Sequence, residues 1–195
     1  MDAPDQNGST PSSEPAKPPN VDIQFDFDAL TIIYRWRSTR YFILLFMSVA
    51  LDVASVLLVG AMSLDDDHAF ALAALVSALL GLTLSYYTLA GFINHTVIVV
   101  NLQWLIITHG PLFWCANKRI EITRINQLYA PKPPAWIGGR RSPFGYKLNA
   151  ILRDNSALKL LSGLSSPNIA RFIEQSIEEY IHIEDHPVAG EIPKY

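Results

Sequence analysis

Two long apolar runs constrain this chain more than any other feature. From Tyr41 to Met62 there are 22 residues with one charge, Asp52, and from Ala69 to Ile93 there are 25 with none. At about 1.5 Å per helical residue, both exceed the ~30 Å hydrocarbon thickness of a bilayer. Only the polar stretch Ser63–His68 separates them. The pattern predicts a helical hairpin that crosses a membrane twice, over residues 41–62 and 69–93. The competing reading, two core helices of a water-soluble domain, is disfavoured by the length of the runs and their lack of charge. The first run starts beyond residue 40 and is longer than the roughly 7–15-residue core of a signal peptide, so a cleaved leader is not expected. Half of the 195 residues are hydrophobic, yet 17% are charged. That mixture suits a chain that is part membrane and part soluble.

Orientation follows the flanking charges. Arg35, Arg37 and Arg40 precede the first run, Lys118, Arg119 and Arg124 follow the second, and the connecting turn holds Asp65, Asp66 and Asp67 with no Lys or Arg. Basic flanks favour the cytoplasmic side, so both termini are expected there. Trp36 and Tyr41 suit an interfacial aromatic belt.

Asp52 is the anomaly in the first run. A charge at the centre of a membrane helix costs roughly 2.5–3.5 kcal/mol on insertion scales, so it needs a partner. A hairpin turning near Asp65–Asp66 sets Asp52 level with Ser77–Gly81. The second run carries Ala73, Ser77, Gly81 and Ser85 at spacings of four, a small-residue stripe that lets backbones approach. On the first, Ser48, Asp52, Ser55 and Gly60 lie roughly along one face. A seam of Asp52, Ser77, Gly81 and Ser85 is therefore expected, holding the hairpin or an oligomer together. The alternative is a small transporter or channel subunit that uses Asp52, but neither run holds a second ionisable residue to form a relay.

The remainder reads as one soluble unit. Residues 1–20 are rich in Pro, Ser, Asp and Asn and read as a disordered tail. Residues 21–37 follow as two strands: Ile23, Phe25 and Phe27 alternate with polar residues, then Leu30, Ile32, Tyr34 and Trp36 alternate with Thr31, Ile33 and Arg35. Two strands cannot bury a core, so they need partners beyond the hairpin. Residues 94–184 supply about five, at Asn94–Val100, Trp104–Gly110, Arg119–Ile122, Tyr146–Leu152 and Leu158–Gly163. Arg124–Ala130 reads as a helical turn or another strand. A final helix has Ser166 as N-cap, Pro167 at its first position and an apolar stripe that includes Phe172, Ile173, Ile177 and Tyr180. Residues 185–195 read as a tail.

Seven strands and a C-terminal helix are the inventory of a pleckstrin-homology-like (PH-like) antiparallel β-barrel or sheet, with the hairpin inserted between the second and third strands. The motifs agree. An Asn-x-Thr start at Asn94, the His-Gly-Pro-x-x-Trp turn from His109 to Trp114 and the strand end Ile125–Tyr129 resemble bacterial two-span membrane proteins with a PH-like domain. So do "LTIIYRWR" and "LLSGLSSP". The resemblance implies an α+β membrane protein of the bacterial inner membrane, and no activity. Some similar proteins carry an N-terminal zinc ribbon, which a chain with Cys115 as its only cysteine cannot build.

Lys132, Trp136, Arg140, Arg141 and Lys147 mix basic and aromatic residues in one Pro- and Gly-rich loop. From Lys118 to Lys159 nine basic residues face Glu121 and Asp154, a local charge of +7. That suits anionic headgroups or an acidic protein partner. His182 and His186, with Glu178 one turn earlier, have helical metal-ligand spacing but no third ligand set. Cys115 lacks the His–acid surroundings of a nucleophile. No phosphate-binding loop, hydrolase elbow or zinc-protease motif is present, and no nucleic-acid motif. The expectation is a non-enzymatic scaffold or interaction module at the cytoplasmic membrane face, without a cofactor, in contact with lipid and with itself or a larger membrane complex.

Overall fold

The computed structural model describes residues 17–36, 38–62, 68–133 and 145–183, with His186, Val188 and 190–192. Most of the expected N-terminal tail, the Asp65–Asp67 turn and much of the C-terminal tail lie outside the described residues. The fold is α+β. The order is β1 (Val21–Asp26), β2 (Ala29–Arg35), α1 (Arg40–Met62), α2 (His68–Ile93), β3 (His95–Asn101), β4 (Trp104–Gly110) and β5 (Lys118–Glu121). A single 3-10 turn (Ile122–Arg124) leads to β6 (Ile125–Tyr129), β7 (Tyr146–Leu152), β8 (Ala157–Leu164) and α3 (Pro167–Ile181).

The strands before and after the hairpin form one sheet, β1-β2-β3-β4-β5, antiparallel throughout. β2 and β3 pair from Ala29↔Asn101 to Arg35↔His95. The register follows from side-chain alternation. Leu30, Ile32 and Tyr34 are buried opposite Val100, Ile98 and Thr96, so inward-facing residues meet across the ladder. The hairpin is thus inserted between two neighbouring strands.

β6, β7 and β8 form a second, three-stranded sheet, so the predicted barrel does not close. The turn at Ile122–Arg124 is the reason. It redirects the chain between β5 and β6, so Lys118–Glu121 ends the first sheet and Ile125 starts the second. Among the described residues six strands therefore follow the hairpin rather than about five. α3 packs on β2, β6, β7 and β8, covering both sheets where strand pairing stops. One core unites Leu30, Ile98 and Leu105 of the first sheet, Leu128 and Leu148 of the second, and Ile173 and Ile177 of α3. Each such fully buried aliphatic side chain contributes about 1.5–3 kcal/mol.

α3 begins as expected. The Ser166 hydroxyl accepts from the Ile169 N–H at 3.3 Å, and His182 ends the helix in the left-handed conformation. Its buried face differs from the expected stripe. Ile173 and Ile177 are buried with Ile169, Ala170, Glu174 and Glu178, whereas Phe172 and Tyr180 are only partly buried.

α1 and α2 are both long and apolar enough to cross a membrane, and only 11% of the most apolar stretch of each is buried within the molecule. They pack antiparallel on residues seven apart: Tyr41 and Ser48 on α1, and Ala74, Gly81 and Thr88 on α2. A spacing of seven is that of a left-handed helix pair, so the seam drifts off the predicted stripe of fours, and Ala73 is exposed.

Candidate functional site

The hairpin seam places Asp52 against α2. Its Oδ2 accepts from the Ser85 hydroxyl at 3.0 Å. An added Cβ at Gly81 would lie 2.1 Å from Asp52 Oδ1, so the carboxyl occupies the space that glycine leaves. Gly91 does the same for Tyr41, whose ring atoms would lie 2.1–2.5 Å from a Cβ there. The structure thus brings Asp52, Gly81 and Ser85 together. Ser77 stands apart, because its hydroxyl donates to the Ala74 carbonyl of its own helix at 3.0 Å. Ser55 likewise bonds the Asp52 carbonyl at 2.7 Å rather than crossing the seam.

A second constellation lies where the hairpin meets the sheets. The loop from β4 to β5 is fastened to the end of α2. Asn94 works as a two-way clamp, donating to the Leu112 carbonyl at 3.1 Å and accepting its N–H at 2.8 Å. Tyr86 donates to the Phe113 carbonyl at 2.8 Å. Trp114 then lies edge-on to Trp36, with ring centres 5.0 Å apart, and 5.8 Å from Tyr87, which in turn packs on Tyr41. Trp36 Nε1 donates to Thr96 Oγ1 at 2.7 Å, leaving the Thr96 hydroxyl proton for His109 Nδ1 at 2.9 Å. This arrangement suits a neutral imidazole. Burial, the leading cause, holds His109 below its usual range. Its bond to the Ala116 backbone opposes that shift, and the Lys118 charge adds to it.

These residues wall a cleft of about 790 Å³ between the start of α1, the β4–β5 loop and β8. Arg40, Lys118 and Lys159 line it, and no Asp or Glu does among the described residues. Lys118 donates to the Lys159 carbonyl. Burial, and then the Lys159 charge, push the Lys118 pKa down. Arg40 donates to the Tyr41 hydroxyl at 3.2 Å, while its Nε is buried without a hydrogen-bond partner among the described residues. Ile43 and Leu44, one helical turn beyond Arg40 on α1, line it as well. Cys115 lines it too and is exposed.

Of the predicted basic–aromatic loop, Lys132 and Lys147 are exposed on the surface, and Trp136, Arg140 and Arg141 lie outside the described residues. Glu178, read beside His182 and His186, turns inward instead and accepts the Leu128 N–H at 3.1 Å. No cluster of three metal-ligating side chains occurs among the described residues. The cleft itself escaped sequence reasoning. Its one signal was the density of aromatic and basic residues on both sides of the hairpin.

No family model matches the chain, and no curated protein matches it.

Proposed function

We propose that this is an integral membrane protein of the bacterial inner membrane whose α1–α2 hairpin spans the bilayer, with both termini cytoplasmic. It presents a PH-like domain to a protein partner as a non-catalytic interaction module. The observation that carries this reading is the polarity of the five-stranded sheet. β2 and β3 lead into the hairpin at one end, through Arg35 and His95. At the opposite end, where Ala29 faces Asn101, the two turns expose Phe27 and Leu102 at 105% and 83%, with Phe25 nearby at 76%. Solvent-facing aromatic and aliphatic side chains grouped away from the membrane are the usual material of a contact surface. Support for the spanning hairpin comes from its outward face, where Phe46, Val56 and Leu57 are each more than two-thirds exposed. Anionic headgroups or an acidic partner at Lys132, Trp136, Arg140, Arg141 and Lys147 belong to the same reading, as does self-association through the seam. The transport alternative rests on Asp52 alone, and its bond to Ser85 favours a structural role.

Two measurements test this. In a C115S background, Leu102→Cys should react in intact cells with a membrane-permeant maleimide and resist an impermeant one until lysis. Labelling by the impermeant reagent in intact cells would place the domain outside. A photo-crosslinking amino acid at Phe27 should then capture a discrete partner. Absence of any adduct from Phe25, Phe27 and Leu102 refutes the interaction role.

A further inference from the structure

We propose that the junction cleft seats the phosphate of an anionic phospholipid, with an acyl chain laid along the outward face of α1. This rests on the membrane reading above and adds a specific ligand to it.

The basic lining of the cleft lacks a counter-charge among the described residues. Three basic groups from three separate parts of the fold, Arg40 of α1, Lys118 of β5 and Lys159 of β8, line it. No ion pair joins any of them to a carboxylate among the described residues. Arg40 and Lys118 are partly withdrawn from water, and unpaired cations so placed are costly unless an anion joins them. The lowered Lys118 pKa reflects that cost. The buried, unpartnered Arg40 Nε–H is a donor awaiting an acceptor. A phosphate diester supplies both a charge and several acceptor oxygens.

The apolar part of the lining argues for a lipid rather than a free phosphate. Ile43 is 64% exposed on the outward side of α1 and also lines the cleft, beside Leu44. The cavity therefore joins basic side chains to an apolar helix surface. A free phosphate would use the first and leave the second idle, whereas an amphiphile uses both. Depth agrees. Tyr86 lies seven residues before Ile93, about 10 Å along the helix axis. Its bond to the Phe113 carbonyl draws the β4–β5 loop down by that distance, with the Phe113 side chain 77% exposed. That is the depth at which interfacial segments sit, at the headgroup and acyl boundary. Trp36, Tyr41, Tyr87 and Trp114 wall the cleft at this level, where amphipathic rings concentrate. The volume lies within the roughly 300–1,000 Å³ range of small-molecule sites.

The test uses the full chain in vesicles, with W104F and W136F leaving Trp36 and Trp114 as fluorescent reporters. Phosphatidylglycerol with brominated acyl chains is titrated into unbrominated phosphatidylcholine, and brominated phosphatidylcholine is titrated in parallel. Quenching by the anionic lipid should be half complete at a mole fraction about tenfold lower than quenching by the neutral one. K118Q/K159Q should abolish that preference. R124Q/R153Q, which removes the same charge from residues that do not line the cleft, should retain it. Equal curves for the two lipids, or equal loss in both double variants, overturn the proposal. Reversal of quenching by excess inorganic phosphate at constant ionic strength would assign the site to a free anion and overturn the lipid. If even pure brominated phosphatidylcholine fails to quench, the membrane reading itself falls.

Discussion

Gly81→Ala probes the hairpin seam most directly. The new Cβ would sit 2.1 Å from Asp52 Oδ1 and 3.2 Å from Cγ, so the carboxyl must swing away and its bond to Ser85 is lost. Overpacking of this kind costs about 1–3 kcal/mol, and an interhelical hydrogen bond in a membrane averages about 0.6 kcal/mol. The better helix propensity of Ala returns up to ~1 kcal/mol. The net loss should be about 1–2 kcal/mol. In an Asp52→Ala background the clashing atoms are gone, and the nearest remaining one, the residue 52 backbone nitrogen, lies at 3.4 Å. There the same Gly81→Ala change should be neutral or stabilising. The propensity term is common to both backgrounds and cancels in the double-mutant cycle, leaving a coupling of about 1.5–3.5 kcal/mol. SDS-titrated unfolding in detergent micelles measures it, followed by near-ultraviolet circular dichroism of the Tyr41–Tyr87–Trp114 contacts. A coupling below about 0.5 kcal/mol would mean that Asp52 does not rest on Gly81, and the seam as described would be wrong.

Two further outcomes follow from the soluble unit. Ile173→Ala, at a fully buried position, should cost about 2–5 kcal/mol, and Phe172→Ala distinctly less than its size suggests because the ring is only partly buried; urea unfolding of both variants checks the order. Burial lowers the folded pKa of His109 below the ordinary imidazole value of 6.5, so above that pH neither state carries the extra proton and stability is at its full value. As pH falls below about 6.5 the unfolded chain protonates first and stability declines until the folded ring also titrates. H109Q should flatten this slope, and an unchanged slope would show that another group is responsible.

The seam was legible in the sequence because an antiparallel hairpin fixes depth by counting from its turn. That arithmetic sets Asp52 opposite Ser77–Gly81, and the contact falls on Gly81 and Ser85. The Ser77 hydroxyl bonds within α2 instead of reaching Asp52, because a helical serine has a carbonyl of its own helix within reach. Glu174 and Glu178 look like the polar face of α3, yet both are buried. β6 is an edge strand, so the Leu128 N–H lacks a ladder partner, and Glu178 supplies the acceptor. Nothing in the spacing of α3 reveals a need that arises on another strand. The junction cleft was hidden for a similar reason. Arg40, Lys118 and Lys159 lie far apart in the chain, on α1, β5 and β8, and only the folded arrangement of those elements sets them around one cleft.

The pairing of β2 with β3 also bears on how the protein is made. β2 leaves the ribosome long before β3, since sixty residues separate Arg35 from His95. A two-stranded hairpin has little stability by itself, so β1 and β2 must wait. If the hairpin spans a membrane, β3 reaches the side of β2 when both helices cross, and not when only one does. On the membrane reading proposed above, a chain with one helix left out would leave β2 and β3 on opposite faces of the bilayer, and the five-stranded sheet could not form. On that reading, completion of the sheet doubles as a check on insertion.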